Sequence, residues 1–247
     1  MNHFFVKPQN IDEGVRVLIE GDDVSHITLS LRLKEGDQIT VADGEGNKYL
    51  VELTFLDEKE VRGDIIKEFD RRIEPEVKVA LIQGLPKSKK MDIIAQKCTE
   101  LGIKDIIPFD SERTIVRLNK KKVLKRQKRW QKICKEAAKQ SGRARIPKIH
   151  KIADIDQILE RAKDYDLVLV PWEDEEVKGL KETLVENKEV KKIMIVVGPE
   201  GGLSSKEVEA FKEIGGRSVT LGPRILRTET AGLATLSMVL YELGELG

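Results

Sequence analysis

The sequence predicts an α/β protein, a parallel sheet with helices on both faces, preceded by a small all-β module. Three observations carry this. From Val77 onward, short apolar runs alternate with helical patterns, the arrangement of a parallel sheet. Before about Phe69 the chain holds only short β-branched or alternating runs broken by turn residues. Ile193-Met194-Ile195-Val196-Val197, an apolar run typical of a strand buried on both faces, stops at Gly198-Pro199-Glu200-Gly201-Gly202.

In chain order, Val15 to Ile19, Ile39 to Ala42, Tyr49 to Phe55 and Val61 to Ile66 are expected strands. Gly36-Asp37 and Asp43-Gly44-Glu45-Gly46-Asn47 supply turn chemistry, and Asp23 to Leu33 is ambiguous. Residues 1–70 therefore form a small barrel or sandwich, and the charged stretch from Asp70 to Glu76 is a linker. The second domain, 76–247, opens with a strand at Val77 to Gln83 and a basic loop, Gly84 to Lys90. An amphipathic helix follows, with Ile93, Ile94, Lys97, Cys98 and Leu101 at helical spacing. Ile103 to Phe109 is the next strand.

A long helix from about Asn119 to Gln140 comes next. Val123, Leu124, Gln127, Trp130, Gln131, Ile133, Cys134, Ala137 and Ala138 describe its packed side. Asp166 to Val170 is a strand ending at Pro171-Trp172-Glu173. Ser204 and Glu207 form a capping box that opens a helix reaching about Ile214. Arg217 to Leu221 is a strand ending in Gly222-Pro223-Arg224-Ile225-Leu226-Arg227. Ala231 to Leu243 is a last helix, apolar or small on nearly every side and so expected to be buried.

At 247 residues the chain has ample length for a real core. No apolar run approaches ~18 residues, and the start lacks the pattern of a signal peptide, so a cytoplasmic protein is expected. Cys98 and Cys134 are isolated and suit buried reduced thiols; with only three scattered histidines, no metal centre is expected. A net charge of +1 conceals strong polarisation. Between Arg113 and Lys151 there are sixteen lysines and arginines against one acidic residue, Glu136; the remainder holds 28 basic and 42 acidic residues. Lys125, Lys128, Arg129 and Lys132 lie on the open side of the long helix without the acidic partners a merely solvated helix carries. That is the electrostatic footprint of a nucleic-acid binder.

The two glycine-containing loops, 198–202 and 222–227, end neighbouring strands and form a crevice at the carboxyl edge of the sheet, where open α/β folds bind ligands. Glycine lets backbone approach a ligand, and Pro199 and Pro223 fix loop shape. Neither Gly-x-Gly-x-x-Gly nor Gly-Lys-Ser/Thr is present, which excludes the dinucleotide fingerprint and the P-loop.

Gly198-Pro199-Glu200-Gly201-Gly202-Leu203-Ser204, with Leu221-Gly222-Pro223-Arg224-Ile225-Leu226-Arg227-Thr228-Glu229-Thr230-Ala231, resembles the signature of the RsmE family. These are SPOUT-class methyltransferases that modify N3 of a uridine in 16S ribosomal RNA. His26, Leu31 to Asp37 and Asp43-Gly44 are similar to the family's N-terminal PUA-like RNA-binding β-barrel; His3 stands where the family usually has arginine. Gln140-Ser141-Gly142-Arg143 is similar to its RNA-facing catalytic segment, and Lys87, Lys97, Glu100 and Arg113 fall in matching stretches.

The resemblance implies a C-terminal trefoil knot, a homodimer and S-adenosylmethionine as cofactor. Val170, Pro171, Trp172, Val197, Gly198, Pro199, Glu200, Gly201, Gly202, Leu221, Gly222, Pro223, Ile225 and Leu226 would wrap the cofactor. Arg143 and Arg227, with Arg224 as an alternative, are the expected electrostatic groups. Glu200 or Glu229 would accept a proton if burial raised its pKa, although Glu229 is better placed as a helix cap. Arg32, Lys87, Arg113, Lys125, Lys128, Arg129, Lys132 and Arg143 are the expected contacts to 16S rRNA in the small ribosomal subunit. A non-catalytic RNA-binding or ribosome-assembly factor with the same fold is the alternative.

Overall fold

The computed structural model describes residues 2–12, 14–69, 73–116 and 119–246, with the backbone alone for Lys120. Residues 70–72 of the expected linker lie outside the described residues. The chain divides into two compact units, Met1–Glu74 with Ala138–Ile146, and Pro75–Ala137 with Pro147–Gly247.

The first unit is built on six strands: β1 (His3–Phe5), β2 (Ile11–Asp12), β3 (Arg16–Glu20), β4 (Gln38–Ala42), β5 (Lys48–Leu56) and β6 (Glu60–Glu68). They form a sheet of order β1-β4-β5-β6-β3-β2, antiparallel except for the β1–β4 pair. Alternating burial along β5 puts Tyr49, Val51 and Leu53 into a core with Phe4, Ile19, Ile39 and Val61. Register shifts between β5 and β6 let the sheet coil. The turn before β5 forms because Asp43 Oδ1 accepts from the N–H groups of Glu45, Gly46 and Asn47 at 2.7, 3.0 and 3.0 Å. The ambiguous stretch resolves as a one-turn helix, α1 (Asp22–Ser25), running into a π-helical turn, His26–Ser30, with Val24 and Ile27 in the core.

One departure from the expected boundaries is that residues 138–146 count with this unit. Ala138 and Ala144 pack on Phe5 and Ala42, and Lys139 pairs with Asp23 at 2.7 Å. These contacts join residues far apart in sequence and leave no local signal.

The second unit contains β7 (Lys78–Gly84), β8 (Asp105–Phe109), β9 (Lys148–Ile149), β10 (Leu167–Pro171), β11 (Lys192–Val197) and β12 (Arg217–Val219). All pair in parallel in the order β12-β10-β11-β7-β8-β9, so β10 separates β11 from β12 and the two glycine loops do not end neighbouring strands as expected; the intervening strand, Leu167–Pro171, lies earlier in the chain and gives no local sign of inserting there. The helices are α2 (Lys90–Leu101), α3 (Lys120–Ser141), α4 (Ile155–Ala162), α5 (Leu180–Glu186), α6 (Ser205–Glu213) and α7 (Thr228–Glu242). The expected Ser204–Glu207 capping box opens α6, and an Asp154–Gln157 box that was not anticipated opens α4. On α3, Trp130, Cys134, Ala137 and Ala138 are buried, and Gln127 and Gln131 bond the backbone around β9, but Leu124 is 55% exposed, contrary to expectation.

The last helix is covered on one side only. Gly232, Leu236, Val239 and Leu240 are buried against α2, β7 and β11, whereas Met238 and Tyr241 are 40% and 70% exposed. The sheet can cover only one face of a helix lying on it, so the all-round apolar pattern leaves an apolar face open. Just beyond α7, the carboxylate of Glu245 accepts from the N–H groups of Glu76 (3.1 Å) and Val77 (3.0 Å) at the entrance to β7.

Candidate functional site

The loops after β7, β10, β11 and β12 all leave the carboxyl edge of the parallel sheet. The loops after β10 and β12 enclose a cleft of about 550 Å³, a size suited to a small organic ligand. Its walls include Pro171, Trp172, Leu221, Gly222, Pro223, Ile225, Leu226 and Arg224 from the anticipated set, with Glu173, Glu175, Glu176, Thr220 and Ala231 in addition. Ile225 is 88% exposed on the rim, and Val170 and Val197 are buried within the strands that carry the loops. The lining is mixed: an indole and aliphatic side chains for a flat ring, backbone at Gly222, and carboxylates that favour a cationic group.

The glycine loop after β11 stands beside this cleft and meets it at Gly202, where the Glu173 carboxylate fills the space a side chain would occupy. Its shape depends on close backbone contact. A Cβ on Gly198 would lie 2.5 Å from the carbonyl carbon of Gly202, and one on Gly84 would lie 2.4 Å from Pro199 N. Three further ties hold the loop. Thr228 Oγ1, at the start of α7, donates to the Gly198 carbonyl at 2.6 Å. The same hydroxyl accepts from Gln83 Nε2 of β7 at 2.8 Å, and Gln83 is wholly buried. Arg113 NH1 donates to the Gly201 carbonyl at 2.8 Å, so this arginine braces the loop. Glu207, buried at the head of α6, also accepts from Glu112 N at 2.9 Å and from Ser111 Oγ at 3.2 Å, anchoring the segment that carries Arg113.

The two candidate proton acceptors meet one cation. Lys90 Nζ lies 3.0 Å from Glu200 Oε1 and 3.1 Å from Glu229 Oε2. Lys87 N also donates to Glu200 Oε1 at 3.0 Å. Burial pushes the Glu200 carboxyl upward, but Lys90 and backbone N–H groups outweigh it, leaving the pKa below the ordinary value. For Glu229, burial is likewise outweighed by its own backbone N–H at the helix start and by Lys90 and Arg227, again lowering the pKa. Hydrogen bonding to Glu200 leads the causes that raise the Lys90 ammonium. The condition for a base role, an elevated pKa, is met by neither carboxylate. Lys90 was legible only as one lysine of a basic loop, since its partners lie more than a hundred residues away.

Arg227 is exposed at the N-cap of α7, and Arg224 is exposed on the cleft rim. Arg143 belongs to the first unit and is buried: its NH2 pairs with Glu74 Oε2 at 2.6 Å, with side-chain exposures of 5% and 12%. Glu74 Oε1 also accepts from Ala144 N and Arg145 N, both at 3.0 Å. The Arg143 carbonyl takes a bond from His3 Nε2 at 3.0 Å, and His3 Nδ1 meets Thr40 Oγ1 at 3.0 Å. Burial leads the causes that hold the His3 imidazole down at about 4, with Lys48 next. A neutral His3 thus serves as a packed donor and acceptor, and its lost charge is explained.

Of the basic set, Lys87, Lys125, Lys128 and Lys132 are exposed. Arg129 is held by Asp92 at 2.8 Å, and Lys97 pairs with Glu100 at 2.8 Å. Arg32 is exposed in the first unit, with φ 53°. Cys98 and Cys134 are buried and form no disulfide. Among the described residues, no cluster of three or more His, Cys, Asp or Glu could hold a metal, and no helix is long and apolar enough to cross a membrane.

Comparison with known proteins places this geometry in a family. Residues 73–240 match an RNA methyltransferase domain, and residues 19–66 match an RNA methyltransferase PUA domain. The chain is 38% identical to the ribosomal RNA small subunit methyltransferase E of Bacillus subtilis over 98% of this chain and 97% of that protein. It is 32% identical to the protein of the same name from Aquifex aeolicus, over 92% and 95%. A crystal structure of a ribosomal RNA small subunit methyltransferase E from Neisseria gonorrhoeae, bound to S-adenosyl methionine, superposes with a TM-score of 0.85 at 32% identity, covering 98% of this chain and 97% of that one.

Proposed function

The chain belongs to the ribosomal RNA small subunit methyltransferase E family, and on that premise we propose that it transfers a methyl group from S-adenosylmethionine to N3 of a uridine in 16S rRNA. The observation that carries this reading is the mixed cleft beside a glycine loop held by Thr228, Arg113 and Lys90 at the carboxyl edge of the sheet.

The residues present fit the cofactor. Trp172, Leu221, Ile225 and Leu226 offer apolar surface to an adenine, Gly222 offers backbone, and Glu173 and Glu176 offer negative charge to the cationic methionyl end. When bound, the cofactor would supply an electrophilic methyl carbon on a sulfonium, the sulfur leaving as the neutral thioether S-adenosylhomocysteine and the N3 proton passing to solvent. The protein's part is to hold a uracil nitrogen in line at roughly 3–3.5 Å and to meet the charge that develops on O2 and O4. Arg227 and Arg224, exposed on the loop after β12, are the groups proposed for that charge. Arg143, neutralised by Glu74, is proposed to organise residues 138–146 for RNA. Glu200 and Glu229, with lowered pKa values, are assigned to loop architecture and not to proton removal.

The first unit and the exposed lysines of α3, with Lys87 and Arg32, are proposed to bind the small-subunit RNA backbone. Two structural expectations belong to the same proposal. The chain returns from edge strand β12 to the sheet centre at Thr228, a path compatible with a trefoil knot. The open apolar face of α7, with Met238 and Tyr241, suits a second copy of the chain. Work on rRNA implies a cytoplasmic location. Mass spectrometry of 16S rRNA nucleosides from cells with and without the gene tests the activity: 3-methyluridine should vanish in its absence, and an unchanged nucleoside profile would overturn the assignment.

A further inference from the structure

We propose that Lys90 is a positioning residue for cofactor binding: its ammonium, shared by Glu200 and Glu229, clasps the loop after β11 to the first turn of α7 and holds the cofactor edge in its binding shape. This rests on the methyltransferase reading above. Lys90 is the first residue of α2, Glu200 sits in the glycine loop, and Glu229 sits in α7, so one nitrogen joins three separate stretches of chain. The side chains are 26%, 28% and 18% exposed, so solvent screens them only in part.

The geometry makes the lysine necessary. With both oxygens within 3.1 Å of Nζ, the carboxylates lie within about 6 Å of each other, the range in which like charges raise one another's pKa. Glu200 is held by Lys87 N, and the Glu229 carboxylate by its own backbone N–H at the start of α7, a turn tied to the glycine loop by Thr228 bonded to the Gly198 carbonyl. Turning either carboxylate away gives up its backbone bond. Without the cation they repel across the seam the cofactor must find closed. Arg227 also acts on Glu229, and Arg113 binds the Gly201 carbonyl; neither replaces a charge lying between the two carboxylates. Among the described residues, no histidine contributes to the titration of either.

The test is calorimetric titration of S-adenosylmethionine at several pH values between 5.5 and 8, with melting temperatures recorded in parallel. Wild-type affinity is the reference curve, because both carboxylates stay ionised and only the ligand's own amino group titrates in this range; variant affinities are read as ratios to wild type at each pH. Lys90→Met should weaken binding at least tenfold at pH 8 and regain affinity toward pH 5.5, where a proton shared by the carboxylates relieves the repulsion. Lys90→Arg should bind nearly as wild type and stay flat. Lys90→Met combined with Glu229→Gln should also be flat and tighter than Lys90→Met alone, a comparison that survives if the single variant folds poorly. A Lys90→Met variant with wild-type affinity, or one equally weak at every pH, would overturn the proposal. So would a variant that loses only affinity for RNA. A wild-type protein that binds no S-adenosylmethionine would instead refute the methyltransferase reading.

Discussion

Replacing Gly198 by alanine should damage the cofactor edge through one added methyl group. A Cβ there would lie 2.5 Å from the Gly202 carbonyl carbon, 2.7 Å from Leu203 N and 2.9 Å from Gly202 O. Carbon atoms prefer separations of about 3.5–4 Å, so the loop must open by roughly 1 Å, and every obstructing atom is backbone with no rotamer to yield. Overpacking of this kind costs about 1–3 kcal/mol. For a protein of this size each kcal/mol lowers Tm by about 2–4 °C. The strain falls on the carbonyl that accepts from Thr228, so S-adenosylmethionine affinity should drop at least tenfold, about 1.4 kcal/mol. Gly222→Ala is the control. Its Cβ meets nothing within 4 Å, and the cost lies only in the backbone at φ +100°, about 1 kcal/mol in a rim loop free to relax, so it should fall below that of Gly198→Ala. Thermal melts and calorimetry of both variants check the ordering. A Gly198→Ala protein with wild-type Tm and affinity would show that the loop does not need the close approach described.

Three further outcomes are expected. Replacing Lys125, Lys128 and Lys132 by alanine should weaken RNA binding and reduce the salt slope by about 0.7 for each phosphate no longer neutralised; a slope equal to wild type would make α3 a solvated face only. Arg143→Ala strands a largely buried Glu74 and should destabilise the protein by about 3–5 kcal/mol, read by urea unfolding; a loss under 1 kcal/mol would remove the pair from the architecture. His3 titrates at about 4 in the fold against an ordinary value of 6.5, so between these pH values the unfolded chain binds more protons. Its contribution is therefore complete above pH 6.5 and is lost as pH falls through 4, at most roughly 3 kcal/mol. A His3→Gln variant should lose less stability than wild type between pH 7 and 4.5, and parallel losses would contradict the assignment.

What was legible in the sequence was local. Ser204 and Glu207 are three residues apart, so the capping box is written in one stretch, and the loop at 198–202 follows an apolar run that reads as a buried strand, while the loop at 222–227 follows a short strand that is only partly apolar. What was hidden depends on groups distant in the chain. Lys90 meets Glu200 and Glu229, and Arg143 meets a carboxylate 69 residues earlier. Periodicity therefore gave no warning that two candidate bases were ion-paired or that a candidate catalytic arginine was neutralised. The helices α4 and α5 are eight and seven residues long and β9 only two, too short to announce a period. The uniformly apolar α7 pattern shows that burial is wanted but not which neighbour supplies it.

The bond between Glu245 and the backbone at Glu76 and Val77 spans 169 residues, and α7 covers the centre of a sheet whose first strand was made long before. A growing chain must therefore hold β7 and β11 without their lid until synthesis passes residue 245. That order of events predicts slow maturation of the second unit and a period of dependence on chaperones while its apolar centre stays uncovered.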